Sequence, residues 1–191
     1  MPVAKIRPEG PIDNDLRLSA NRLHLRPLTL ADPQGPYPNW LNDPEVCRYN
    51  SHGERVYTPE MAEAYITQVN ASPTDRVFAV VDSTTDTHIG NIAIQKINWA
   101  YQNAEYAILM GDTRYWGKGY ALEASKTLLD YGFGPLGLHR IYCGTSADNV
   151  PMQKLAVAMG MRVEGRQRDA MMKHGAFVDV LLYGALRDEA S

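Results

Sequence analysis

The stretch Arg114-Tyr115-Trp116-Gly117-Lys118-Gly119 sets two glycines among two cations and two aromatic rings. It follows an apolar run that ends at Leu109 and Met110, and it opens an amphipathic segment that continues through Tyr120 and Ala121 to Phe133. A loop at such a helix start presents unpaired backbone N–H groups, here from about Tyr115 to Ala121, and the positive end of the helix dipole. That combination suits phosphate or another anion. Gly117 and Gly119 let the backbone approach the anion and take dihedrals that a β-carbon disfavours, while Arg114 or Lys118 adds charge. Trp116 reads more naturally as packing.

Spacing excludes two other phosphate loops. Counting from Gly111, the sixth position is Trp116, and Lys118 is followed by Gly119, so GxxxxGK[ST] fails. A dinucleotide fingerprint requires a third glycine where Leu122 stands. The five histidines show no HExxH spacing, Cys47 and Cys143 make no CxxC, and no GxSxG elbow occurs. Metal and serine-hydrolase chemistry therefore have no support.

The elements that must position the loop follow from periodicity. Arg22 to Arg26 alternates and closes on Pro27, which marks a half-buried strand. Residues 28 to 57 are dense in Pro, Gly, Asn and Asp but hold Trp40, Leu41, Val46 and Tyr49, so short helical pieces forming a cover are expected. Thr58-Pro59-Glu60 starts a helix, with Met61, Ala64, Tyr65 and Val69 on one face. Strands follow at Val77–Val81, Ile89–Ile97 and Ala104–Met110, joined as an antiparallel meander by connections too short for crossovers. A helix from Gly119 to Phe133 turns Leu122, Ser125, Leu128 and Leu129 inward. A strand at His139–Thr145, a helix from Asn149 to Gly160 and a final hairpin turning at His174-Gly175 complete the chain. The fold class is α/β (α+β): a mostly antiparallel, mixed, seven-stranded sheet flanked by helices.

The chain's 191 residues suit one domain at 19–191 preceded by a flexible arm at 1–18. Hydrophobic residues make up 45%, charged residues 21% and the net charge is −3, with no dense basic run, so no nucleic-acid partner is indicated. There is no signal-type segment and no membrane span, and with two isolated cysteines a reduced, cytoplasmic setting fits.

The R-x-x-G-x-G loop resembles the coenzyme A pyrophosphate loop of the GNAT acetyltransferase superfamily, [QR]-x-x-G-x-[GA]. LHLRPLTLAD, WLNDPEV, HIGNIAI, AEYAILMGDTRYWGKGYALEA, LGLHRIYCGTSADN and the MGM helix end look, in that order, like its RimJ/RimL branch, across roughly residues 22 to 184. The resemblance implies acetyl-CoA as cosubstrate and a primary amine as acceptor, either a protein N-terminus or a small amine, in a monomer or homodimer. It also implies a strand ending at Leu109 and Met110 that splays from the His139–Thr145 strand and pairs its backbone with the cofactor arm. A backbone N–H near Met110 would then polarise the acetyl carbonyl.

By the same resemblance Asn149 hydrogen-bonds the cofactor arm, although a plain helix cap serves equally. Glu105 is the leading general base, against the alternative of an ion-paired strand glutamate, with Glu54, His52 and Glu123 as further candidates. Positions where relatives carry an acid for the leaving thiolate are Ala156 and Met152 here, neither of which donates a proton; Tyr120, Tyr142 or water are substitutes. Cys143 is the one side chain that would suggest a covalent route, although its strand context suggests a core thiol. In relatives the cover segment and last hairpin wall the acceptor site, which makes Trp40, Asn50, His52, Arg55 and Asn98 candidates, with core packing the rival for Trp40. An amino-sugar-nucleotide acceptor and a non-catalytic CoA-binding regulatory module remain as alternatives.

Overall fold

The computed structural model describes residues 10–50, 52 and 56–189. After β1 (Leu18–Ser19) and β2 (Leu23–Pro27), a 3-10 turn at Asp32–Gln34 and the four-residue α1 (Tyr37–Trp40) form the cover. Helix α2 (Pro59–Ala71) starts as its sequence dictates: Thr58 accepts a hydrogen bond from the Met61 N–H, and Pro59 fills the first turn. The meander β3 (Arg76–Asp82), β4 (Thr87–Asn98) and β5 (Asn103–Met110) leads into α3 (Tyr120–Phe133). Then come β6 (Arg140–Ser146), α4 (Val150–Ala158), β7 (Arg162–Lys173) and β8 (Ala176–Leu186).

The strands form one sheet in the order β1-β2-β3-β4-β5-β6-β8-β7. Among the described strands only β5 and β6 run parallel, linked by α3 as the crossover, and the other pairs are antiparallel. The described strands number eight rather than seven because Leu18 and Ser19 pair with Leu25 and His24. Residues 1–9 of the expected arm lie outside the described residues. Residues 10–18 are not free: Ile12 is buried in the core, Leu16 and Leu18 pack beside it, and the Gly10 carbonyl accepts from Arg76 Nη2 at 2.7 Å. Three apolar side chains in a polar stretch were enough to hold it down.

The sheet separates two apolar layers. Leu25, Phe78, Ile92, Ile94 and Tyr106 pack under Leu128, Leu129 and Phe133 of α3. On the opposite face Val77, Ala79, Val81 and Ala93 meet Tyr37 and Trp40 of α1 and Ala62, Ile66 and Val69 of α2. The buried face of α2 is thus Ala62, Ile66 and Val69, one residue round the helix from the expected stripe. Among the described residues no helix is long and apolar enough to cross a membrane.

Candidate active site

Strands β5 and β6 pair only at Asn103/Arg140, Ala104/Ile141 and Glu105/Tyr142. Beyond that point β5 stays on β4 while β6 stays on β8, so the two part. The Arg140 N–H donates to the Gln102 carbonyl, which turns even-numbered peptide groups of β5 toward β6. The Gly111 N–H donates to Ile89, which turns odd-numbered ones toward β4. By the alternation of an antiparallel ladder, the backbone groups of Tyr106, Ile108 and Met110 face the gap β6 has left. Leu109 sends its backbone to Asn91 on β4 and its side chain to the opposite layer, so of the two expected positions only Met110 offers its backbone to the opening. The Met110 carbonyl accepts from Trp116 Nε1 at 2.8 Å, which explains that half-exposed indole as a strut between strand end and loop.

The loop behaves as its glycines require. Gly117 and Gly119 have φ of 69° and 83°, the left-handed region where a side chain is strained. Gly119 caps α3 without any side-chain hydrogen bond, so the first-turn N–H groups have no capping side chain among the described residues. Arg22 ties the loop down from β2's approach: Nη1 donates to the Lys118 carbonyl at 3.0 Å, Nε pairs with Glu123 at 2.7 Å, and the guanidinium lies 4.3 Å from the Tyr120 ring. Tyr120 also packs edge-on to Tyr115 at 4.9 Å and donates to Asp82 at 3.2 Å. Arg114, largely exposed, pairs with Asp112 at 2.6 Å, which holds the Asp112 carboxyl below its usual range. Lys118 has no ion pair among the described residues and is the better-placed cation. The Ala121 carbonyl accepts from Ser125, whose hydroxyl meets Tyr106 at 2.6 Å, joining α3 to β5 through a buried contact. These uncapped N–H groups and the open strand edge fit a pyrophosphate-bearing cofactor with an extended amide arm.

On the other face of β4 and β5 lies a cavity of about 710 Å³. Its floor is Asn91, Ala93, Gln95, Ala107 and Leu109; its walls include Tyr37, Asn50, His52, Tyr57, Tyr65 and Gln68. Met61, Ala64 and Tyr65, expected as a packing stripe, line this cavity instead. Burial pushes the Tyr65 hydroxyl up to about 12, so it is a neutral phenol. Asn50 and His52 are among the residues lining this cavity, and Lys173 of β7 donates to both their carbonyls, at 2.7 and 3.2 Å. Trp40 is not: it is buried, and its ring lies where a β-carbon on Gly111 would stand, 1.9 Å from the nearest ring atom. Asn98 is also elsewhere, accepting from the Tyr101 N–H at 2.9 Å in the β4–β5 turn. Arg55 and Glu54 lie outside the described residues.

Glu105 projects on the cavity face, opposite Gln95 and Tyr142, with its carboxylate 2.6 Å from Lys96 Nζ. Asn149 caps α4 by accepting from the Met152 N–H at 3.2 Å, the plain helix cap, and its amide NH2 has no partner among the described residues. Ala156 is buried and Met152 packs on the core, so neither donates a proton. Cys143 is buried against Met161, and burial pushes its thiol up to about 12, which removes it as a nucleophile.

Sequence reading missed Ile108, Asn91, Gln95 and the tyrosines of the cavity. Two signals pointed to them: Asn91 and Gln95 are polar residues of like parity in an apolar strand, and the parity of β5 distinguishes Ile108 from Leu109.

Residues 22–162 match the acetyltransferase (GNAT) domain family. The chain is 31% identical over 179 residues to an uncharacterized N-acetyltransferase of Bacillus licheniformis, covering 90% of this chain and 97% of that one. It is 27% identical to the spermidine N(1)-acetyltransferase of Escherichia coli, covering 88% and 86%. A crystal structure of spermidine N-acetyltransferase from Vibrio cholerae in complex with CoA and spermine superposes with a TM-score of 0.81 at 25% identity, covering 88% of this chain and 98% of that one. With the family match running from β2 to the start of β7, and the parted strands standing where a CoA arm fits, the chain belongs to the GNAT acetyltransferases and is an N-acetyltransferase that draws on acetyl-CoA.

Proposed function

We propose that the acceptor is a small primary amine carrying one positive charge, bound in the cavity over Asn91, Gln95, Ala107 and Leu109. The observation that carries this is the cavity itself. Its volume, about 710 Å³, lies in the range of small-molecule sites. Its described lining mixes tyrosine rings and amides with apolar side chains. Ring faces stabilise a single ammonium. The motif order along the chain supports a RimJ/RimL-like placement. Two free, buried thiols support a reducing, cytoplasmic setting.

In this reading the open backbone of Ile108 and Met110 pairs with the cofactor arm, and the N–H groups from Tyr115 to Ala121 hold its pyrophosphate. Lys118 adds charge, and the Asn149 amide reaches the arm while its carbonyl oxygen caps α4. The Met110 N–H donates to the acetyl oxygen. Glu105, ion-paired with Lys96, takes the acceptor's proton directly or through water. The amine nitrogen bonds to the acetyl carbon as the carbon–sulfur bond breaks, and the thiolate leaves on the cofactor. No covalent enzyme intermediate is involved, since Cys47 and Cys143 are buried and burial raises both thiols.

Thiol release from acetyl-CoA, followed across monoamines, spermidine and short peptides, tests the reading. Turnover with compact monoamines is expected. Preference for spermidine or for a peptide N-terminus would replace this acceptor class, and CoA binding without any turnover would support a regulatory module.

A further inference from the structure

The cavity floor contains a polar side chain that is held from behind. In a regular strand His88 and Asn91, three residues apart, point to opposite faces. Here β4 carries a bulge: Val80 pairs with Gly90 and Val81 with His88, leaving Ile89 as the extra residue. The slip brings His88 onto the face of Val81 and Asn91.

His88 is held at Nε2 and by the rings packed against it, while its buried Nδ1 makes no hydrogen bond among the described residues. Its Nε2 lies 3.0 Å from the Gly90 carbonyl and 2.8 Å from Asn91 Oδ1, and its Nδ1 lies 3.5 Å from Asp32 Oδ1. Trp40 packs against the imidazole at 5.0 Å and Tyr37 at 6.2 Å. Asp32 is itself anchored by Arg26 through two hydrogen bonds of 2.9 and 2.7 Å and by the Thr29 N–H at 2.7 Å. A carbonyl only accepts, so Nε2 carries the hydrogen it shares between Gly90 and Asn91. The Asn91 atom facing it is therefore the oxygen, and the amide NH2 is turned away from His88. That NH2 has no partner among the described residues, and Asn91 lines the cavity.

The geometry points to Asn91 as a specificity-determining residue: buried His88, anchored through Nε2 to the Gly90 carbonyl, fixes its carboxamide so that the NH2 faces the acceptor and selects amines bearing a hydrogen-bond-accepting oxygen. His88 is a positioning residue that acts through Asn91. This rests on the acceptor-cavity reading above.

Two near-isosteric amines, 2-methoxyethylamine and butylamine, differ by one oxygen and test it. The wild type should favour the ether in kcat/KM, and Asn91→Leu should reduce the ether-to-alkyl ratio roughly tenfold, leaving the acetyl-CoA KM unchanged. His88→Ala should reduce the ratio comparably, His88→Gln should restore part of it, and the double variant His88→Ala/Asn91→Leu should fall no further than Asn91→Leu alone. A ratio unaffected by Asn91→Leu, or still altered by His88→Ala in the Asn91→Leu background, overturns the proposal. Should neither amine turn over, the Asn91 side-chain amide signals in 15N-labelled protein, identified by their loss in Asn91→Leu, decide it. Movement with the ether amine and not with butylamine supports the proposal, and no difference overturns it. Lack of turnover by itself counts only against the acceptor reading.

Discussion

Glu105 on β5 stands directly opposite Tyr142 on β6, and theirs is the last pair before the two strands diverge. Three features meet there: a carboxylate on the cavity face, a strand edge without a partner, and the start of the opening toward the glycine loop. Replacing Glu105 by Gln should lower kcat about 10²-fold or more with little change in the KM for acetyl-CoA. Steady-state thiol release measures both. Because Lys96 is largely exposed, loss of its ion pair should cost less than about 1 kcal/mol of stability, so a fall in rate would not be an unfolding effect.

The loop glycines give a cofactor-side prediction. Gly119 has φ of 83°, and a β-carbon there meets Arg22 Nη2 at 3.3 Å. Gly117, at 69°, has open space, so its constraint is the backbone alone. Gly117→Val should therefore raise the acetyl-CoA KM roughly tenfold or more without altering the ether-to-alkyl selectivity of the acceptor site. Titration calorimetry with CoA provides a second reading of the same loss.

Ser125 couples the strand to the helix behind the loop. Its hydroxyl meets Tyr106, whose own hydroxyl is raised by burial, and donates to the Ala121 carbonyl. Ser125→Ala leaves the buried Tyr106 hydroxyl without that partner and should destabilise the protein by about 1–3 kcal/mol. Ser125→Ala combined with Tyr106→Phe should recover part of it, as chemical denaturation would report.

Asp32 gives the pH prediction. Burial acts to raise its carboxyl, but hydrogen bonds from Arg26 and the Thr29 N–H, with the His88 ring close by, outweigh it and hold Asp32 well below the usual carboxylate range. A depressed folded value means its stabilisation is fully present above the unfolded value, near pH 4, and is withdrawn only as pH falls toward the folded one. Asp32→Asn should cost roughly 2–4 kcal/mol at neutral pH, and the gap from wild type should hold down to about pH 4 and narrow below it. Denaturant midpoints measured across that range check both halves.

Gly111 should tolerate no side chain, for a packing reason and not a conformational one. The Trp40 ring occupies the β-carbon's place. Gly111→Ala should lower stability by roughly 1–3 kcal/mol and should be partly rescued by Trp40→Phe, read by thermal unfolding.

The architecture and loop were readable from the sequence because they rest on local rules: alternation, a Thr-Pro-Glu helix start, glycine spacing. What escaped depended on neighbours far along the chain. Trp40 reads equally as ligand contact or core until Gly111 is seen beneath it. Leu109 and Ile108 exchange roles on the parity of a ladder whose pairing sequence alone does not fix. His88 reaches the face of Asn91 only through the extra residue Ile89, a bulge that leaves no signature in an apolar strand. Residues 10–18 looked solvated because their few apolar side chains, led by Ile12, have no period, yet Ile12 is in the core.

The proposed acceptor site is the cavity over Asn91 and Gln95, which would receive a small amine for acetyl transfer from acetyl-CoA. The most direct test is the initial rate of thiol release with acetyl-CoA and a panel of compact primary amines, for wild type and for Ala107→Trp, which fills the cavity floor beside Leu109. Turnover by the wild type is expected, with acceptor KM raised at least tenfold in Ala107→Trp while CoA still binds. Equal acceptor KM in the two proteins, or CoA binding with no amine acetylated by the wild type, would contradict it.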